Sequence, residues 1–322
     1  MGRYVAQRIY KGFITLLITI TITFLILRLL PADPAMIMLG ERATEEQRAT
    51  LIANFGLDKP LWQQYLMYLG RLARGDFGIS FYQRRPVIDI INEKLPWTLL
   101  LMVTTQLVTM AVGIPLGIYS GYKRGSLFDQ IVNAVAIFGI SIFVPWLGFT
   151  LLYFFGYKLP IFPVGGAYTV GIEGTWERIM DIGRHMILPV VTLMVIYLAN
   201  YVLYTRGSII DVMQEDYIKT ARSKGMKESR VLWRHAAKNA MIPTVTMAGL
   251  MLGRMVGGAV LTETIYAYPG VGRMIYQAVG QQDYPVLQGA FIILAVSVIV
   301  MNILTDIAIV YLDPRIKLER EL

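Results

Sequence analysis

Six stretches of this sequence stay apolar for long enough to cross a bilayer, which leaves a chain of 322 residues few ways to fold. They cover about residues 9–30, 97–119, 131–156, 186–204, 242–261 and 286–311. Roughly 20 such residues in a helix span the roughly 30 Å of hydrocarbon. In lipid the backbone must satisfy its own polar groups, so each stretch is read as a helix. Composition agrees: 55% hydrophobic and 16% charged residues with a mean hydropathy of +0.53 lie outside the range of ordinary soluble domains. The expected architecture is an all-α integral membrane protein with six transmembrane helices.

The net charge of +8 would in a soluble chain raise the possibility of a nucleic-acid partner. In a multi-pass chain its distribution between loops orients the helices instead. With the N-terminus in the cytoplasm, the inner segments hold Arg3, Arg8 and Lys11, then Lys123 and Arg124, then eight basic residues of 206–238, then Arg315, Lys317 and Arg320. That is 16 of the 30 Lys and Arg, most of them close to span ends. The long opposite-side segment 31–96 has eight basic and eight acidic residues, and long translocated segments are only weakly governed by charge. Both termini are therefore expected inside a cell membrane, with lipid and not nucleic acid as the surrounding partner. The first apolar run follows basic residues, as in a secretory signal, but it is long and leads into Pro31-Ala-Asp-Pro34 without a small-x-small cleavage site. It is read as a retained helix.

The chain divides into residues 1–30, an inner N-terminus and first span; 31–96, an external helical subdomain; 97–311, a five-helix core containing the cytoplasmic loop 206–241; and 312–322, a cytoplasmic tail. In the external segment two prolines stop the first helix, Thr44-x-x-Gln47 has the form of a capping box, and Asn54-Phe-Gly56 should end the helix it starts. Leu61, Tyr65, Tyr68 and Leu72 recur at helical spacing and form an apolar face for the membrane surface or the core helices. A short helix over 86–95 leads into the second span.

Motifs for chemistry are missing. Gly121-Tyr-Lys-Arg-Gly125-Ser126 lacks the lysine that would reach a nucleotide's phosphates. The two histidines, His185 and His235, fall on opposite sides of the membrane in this topology, and there is no Cys, so neither a metal site nor a thiol chemistry is expected. No catalytic residue, bound cofactor or metal is assigned, and the chain is not read as an enzyme.

What remains is the polar loop Asp216-Tyr-Ile-Lys-Thr-Ala-Arg-Ser-Lys-Gly225, continuing through Arg234-His-Ala-Ala-Lys-Asn-Ala-Met-Ile-Pro243, between the fourth and fifth spans. Residues 216–224 can form a short helix ended by Gly225, and 228–238 a second one carrying Arg230, Arg234 and Lys238. A helix–glycine–helix elbow protruding into the cytoplasm is a lever. The pattern resembles the cytoplasmic coupling loop, the EAA loop, of ATP-binding-cassette importer permeases, in the spelling of the dipeptide, oligopeptide and nickel branch. Lys219 and Thr220 stand where the general consensus has Glu and its first Ala, and Pro243 comes late, as expected of that branch. Also similar to it are Arg28-Leu-Leu-Pro-Ala-Asp-Pro34, Gly56-Leu-Asp-Lys-Pro60, Gly75-Asp-Phe-Gly78, Glu263-Thr264 with Pro269-Gly-Val-Gly272, Asp283-Tyr-Pro285 with Gln288, and Leu312-Asp-Pro-Arg315.

The resemblance implies a fold like that of type I importer permeases and a function as the permease subunit of an ATP-driven, binding-protein-dependent importer. Di- and oligopeptides are the first expectation for its cargo, with oligosaccharides or nickel as alternatives. The implied partners are a second permease, identical or different, two ATP-binding cassette subunits that use ATP and magnesium, and an external substrate-binding protein. The resemblance places ATPase docking on Tyr217, Thr220, Ala221, Arg222, Lys224 and Gly225, with Arg222 available to an acidic groove. A secondary transporter is the competing reading, but it would call for more helices, inverted repeats and several intramembrane ionisable groups.

In the fifth span Gly249, Gly253 and Gly257 recur at intervals of four, a face for close helix packing within the subunit or against a partner permease. Arg254 lies mid-span, where a charge is costly, and is read as lining the translocation pathway and favouring a substrate carboxylate, with structural pairing to a carboxylate or snorkelling as the alternative.

Overall fold

The computed structural model describes residues 2–29, 44–46 and 58–312. The proline stop at 31–34, most of the expected capping box, the Asn54-Phe-Gly56 helix end and the tail beyond Leu312 lie outside these residues. The described chain is helical apart from turns and a single bridge between Ile79 and Pro86. Its helices are α1 (Gly2–Leu29), α2 (Leu61–Leu72), α3 (Val87–Tyr122), α4 (Leu127–Ser141), α5 (Val144–Leu151) with a π-helical continuation Leu152–Lys158, and α6 (Thr175–Val212). They are followed by α7 (Asp216–Ser223), a turn Glu228–Arg230 with a π-helical segment Val231–Ala236, α8 (Ala237–Ile265), α9 (Val271–Gly280) and α10 (Tyr284–Leu312).

Among the described residues four helices have the length and apolarity to cross a membrane: Ala6–Leu29 of α1, α3, α6, and Tyr284–Thr305 of α10. One of the six expected spans is not a single helix among the described residues. The third is a bent pair, α4 and α5 with its continuation, turning by 102°. Ile142 and Phe143 are extended and a proline stands in the first turn of α5, so the chain cannot carry one helix through. The fifth falls in α8, whose 29 residues cover about 43 Å. That helix carries Arg254 near its middle together with four glycines.

Two helices also outgrow their apolar cores. The short helix expected over 86–95 and the second span are one helix of 36 residues, and α6 runs for 38.

The residues group into two compact units, Met1–Thr98 with Pro269–Ile299, and Leu99–Tyr268 with Val300–Leu322. In the first, Phe24 of α1, Tyr68 of α2 and Ile292 of α10 form a core joined by Tyr65, Leu72 and Phe77. Phe24 stacks on Tyr68 at 5.6 Å, and Thr21 and Tyr65 share a hydroxyl hydrogen bond of 2.6 Å. Tyr65, Tyr68 and Leu72 of the periodic face of α2 are thus turned onto long helices, while Leu61, Trp62 and Leu66 are exposed.

A buried carboxylate organises the turn that follows. Asp283, 1% exposed at the start of α10, accepts hydrogen bonds from Ser80 Oγ, from the Phe81 N–H at 3.1 Å and from the Tyr82 N–H at 3.2 Å. Asp283→Ala strands three donors and is expected to destabilise this turn by about 3 kcal/mol. Faster amide exchange at Phe81 and Tyr82, with α6 unaffected, is the measurement; unchanged protection there contradicts the expectation.

In the second unit α6 is the central element. It packs on α4 through Ala136, Ala199 and Val202. Toward α8 it presents a column of polar rungs. Thr192 meets the Tyr266 hydroxyl at 2.9 Å, Tyr197 donates to the carbonyl of Arg254 at 3.0 Å, and Thr205 meets Thr244 at 3.2 Å. Between them Gln106 of α3 donates to Tyr201 and to the Ala248 carbonyl. Such bonds are worth roughly 0.6 kcal/mol each within a membrane, so their value lies in fixing register along an antiparallel pair.

Candidate functional site

The elbow is built by local rules. The chain leaves α6, and α7 begins at Asp216, whose carboxylate suits the positive end of the helix. Lys219 caps it from one turn on at 2.8 Å. This shared hydrogen bond lowers the Asp216 pKa and raises that of Lys219. Helix α7 ends in a Schellman motif. The Gly225 N–H bonds to the Arg222 carbonyl at 2.9 Å and the Met226 N–H to that of Ala221 at 3.4 Å. Gly225 has φ +70°, the left-handed conformation that only glycine adopts without strain, so its position follows from the turn.

Within α7 the two faces differ. Ile218 is fully buried and Ala221 is 6% exposed, turned toward the π-helical segment, where Val231, Leu232 and Ala236 are buried in turn. Tyr217, Thr220, Lys224 and Gly225 lie on the exposed side. Two of the six expected docking residues therefore need a different description. Ala221 faces inward, toward the segment 231–236. Arg222 is not held free for an acidic groove, because it bridges the elbow to Glu228 with two bonds of 2.8 and 3.1 Å. That pairing raises its pKa, chiefly through the hydrogen bond to Glu228. Sequence reasoning missed this bridge, although a basic residue six positions before an acidic one across a glycine was visible. Asn239 at the start of α8 donates to the Tyr217 hydroxyl at 2.7 Å, tying the exposed face to the outgoing helix.

Along α8, Pro243, Leu250, Arg254, Gly257 and Leu261 form one exposed stripe on a helix otherwise largely buried. Arg254 stands in its middle, and among the described residues no carboxylate pairs with it. The glycines expected to share a packing face separate. A Cβ on Gly249 would lie 3.1 Å from Asn302 Oδ1 of α10, a close approach, while one on Gly257 would meet open space. The packing glycine at that level is Gly258, where a Cβ would come within 2.9 Å of the Tyr197 hydroxyl.

Another tight seam was not singled out from the sequence at all. Gly113, Gly117 and Gly121 of α3 lie against α6, where added Cβ atoms would fall 2.8 Å from Tyr201 Cβ, 2.7 Å from both Thr205 Cβ and the Val202 carbonyl, and 2.8 Å from the Arg206 carbonyl. Their interval of four was the available signal. Where this seam ends, Arg206 forms a two-pronged ion pair with the buried Asp129. Among the described residues no group of three or more His, Asp or Glu is arranged to hold a metal.

Comparison with known proteins places this geometry in context. The family profile for the binding-protein-dependent transport system inner membrane component matches residues 113–318, and the profile for the N-terminal part of such membrane components matches residues 1–102. The chain is 38% identical to the dipeptide transport system permease protein DppB of Escherichia coli K12, over 98% of this chain and 99% of that relative. It is 36% identical to the oligopeptide transport system permease protein AppB of Bacillus subtilis 168, over 98% of this chain and all of that one. Among solved structures, an inward-facing MetNI methionine ABC transporter chain is similar in fold, with a TM-score of 0.57 at 16% identity, covering 70% of this chain and 97% of that one.

Proposed function

The chain belongs to the family of binding-protein-dependent transport system inner membrane components, and from that premise we propose that it is the permease subunit of an ATP-driven importer of di- and oligopeptides. The observation that carries the mechanical part is the elbow itself. An exposed face of Tyr217, Thr220 and Lys224 rests on a fully buried seat, between two long helices joined by polar rungs. A surface built this way passes on a push, because the helix beneath it has no slack. The peptide cargo is supported by the names of the relatives similar over nearly the full chain.

In this reading α7 faces the cytoplasm and docks on an ATP-binding cassette subunit, both termini lie inside, and ATP and magnesium are used by the partners. A second permease and an external substrate-binding protein complete the assembly. Alternation of access follows if each state is favoured by different contacts, with α7 as the physical link. Mild-detergent purification of the tagged chain, with mass spectrometry of its companions and peptide uptake in proteoliposomes, tests this. ATPase, second permease and binding protein in fixed stoichiometry, with uptake of short peptides, is the expected result. A chain that purifies alone under conditions preserving such complexes, or a complex that imports nickel or oligosaccharide but no peptide, overturns the corresponding part.

Arg254 belongs to the pathway in this proposal. A mid-helix arginine on an exposed stripe needs water or an anionic partner, and a peptide's terminal carboxylate is one. Arg254→Gln is expected to reduce uptake of free-carboxylate peptides about tenfold, the loss of one charge-assisted hydrogen bond. Amidated peptides should be affected much less. Equal uptake of both by the variant and the unaltered chain, with assembly intact, excludes the role.

A further inference from the structure

Thr205 and Arg206 are consecutive residues of α6 with their side chains fastened to different helices, one to α8 and the other to α4. Arg206 lies ten residues ahead of the docking helix. Its Nε donates to Asp129 Oδ1 at 2.6 Å and its Nη2 to Oδ2 at 2.8 Å. The same carboxylate takes Ser120 Oγ from the end of α3 at 2.5 Å, the Gly125 N–H from the turn at 2.9 Å, and Asn133 Nδ2 from α4 at 2.7 Å. Asp129 is 3% exposed. Five donors from four stretches of chain thus converge on one carboxylate, which saturates its acceptor capacity.

Stability alone does not call for this arrangement. A buried ion pair loses much of its Coulombic gain to desolvation, and an apolar pair of similar volume often serves as well or better. What a forked guanidinium adds is direction, since two parallel bonds fix both distance and angle. Here they fix the foot of α6 against α3 and α4 where α3 already meets α6 backbone to backbone at Gly117 and Gly121.

We propose that the Asp129–Arg206 pair is the positioning element that makes coupling obligatory: it prevents α6 from bending at the root of the elbow, so that displacement of α7 moves α3, α4, α6 and α8 together. Arg206 and Asp129 act through the helices and contact neither cargo nor ATPase. The inference rests on the docking role proposed for α7, and it adds the element by which that role reaches the membrane segment.

The test uses the complete co-purified transporter in proteoliposomes and reads peptide carried per ATP hydrolysed. Arg206→Lys keeps the charge and loses the fork. The double variant Asp129→Leu/Arg206→Met keeps an apolar packing without directional bonds. Both are expected to assemble and hydrolyse ATP while carrying about tenfold less peptide per ATP, a change within the usual range of coupling between sites. A ratio equal to that of the unaltered transporter in Arg206→Lys overturns the proposal, and that single variant decides the matter where the double variant does not assemble. Because the chain has no Cys, Tyr217→Cys supplies a unique cross-linking handle for the docking contact. Absence of a cross-link to the ATPase removes the docking role and this inference with it. A cross-link together with a normal ratio in Arg206→Lys removes the inference alone.

Discussion

Gly117→Leu is expected to abolish correct packing of the second unit. An added Cβ would sit 2.7 Å from both Thr205 Cβ and the carbonyl oxygen of Val202, where carbon contacts normally settle near 3.5–4.0 Å. Backbone cannot swing aside as a flexible side chain would, so α3 and α6 must separate by about 1 Å. That movement pulls on the Thr205 rung to Thr244 and on the ion pair of Arg206. Overpacking of this kind costs about 3 kcal/mol, and about 5 °C of thermal transition follows from it in a chain of this size. Thermal unfolding of the detergent-purified chain, followed by size exclusion, is the measurement. Gly257→Leu is the control: its Cβ meets open space, so the transition should stay in place. Equal transitions in the two variants mean the seam is looser than described.

Ala221→Leu is expected to separate ATP hydrolysis from transport. The position belongs to the inward face of α7, one turn after the fully buried Ile218, and its carbonyl closes the Schellman motif. Three further carbons beneath this helix lift it from its seat on the segment 231–236 or open the glycine turn, and overpacking rarely leaves a helix in place. Because the exposed face of Tyr217, Thr220 and Lys224 is unchanged in composition, an ATPase can still find it while the push no longer reaches α6 and α8. Peptide uptake should fall about tenfold or more relative to ATP hydrolysis. An unchanged ratio would show that the seating of α7 is irrelevant to coupling.

Much of this was readable before any coordinates. Apolar runs of the necessary length mark their helices because hydrocarbon offers the backbone no partner. The elbow was also readable, since a left-handed helix end requires a glycine and Gly225 is the one that can supply it. Side-chain direction was not. Ala221 and Thr220 are both small residues of one short helix, and only the seat under α7 separates the inward one from the outward one. Arg222 looked like a residue for a partner because its own partner, Glu228, lies beyond the turn.

The glycines make the same point from the other side. Gly113, Gly117 and Gly121 have the same spacing as Gly249, Gly253 and Gly257, so periodicity cannot rank the two sets. The first meets α6 at every step, whereas in the second Gly249 meets α10 and Gly257 meets nothing. Similarly, Asp129 reads as an ordinary acidic residue in the first turn of a helix until Arg206, 77 positions away, reaches it.

Membrane residence, helical class, the family and the place of the elbow were written in local composition and spacing, because lipid solvation, helix capping and turn chemistry act over a few residues at a time. Which glycines close a seam, which face of α7 is offered outward, and which carboxylate holds the foot of α6 were decided by tertiary structure alone. Those properties depend on what stands opposite each residue, and a neighbour brought in from far along the chain leaves no mark on the local sequence.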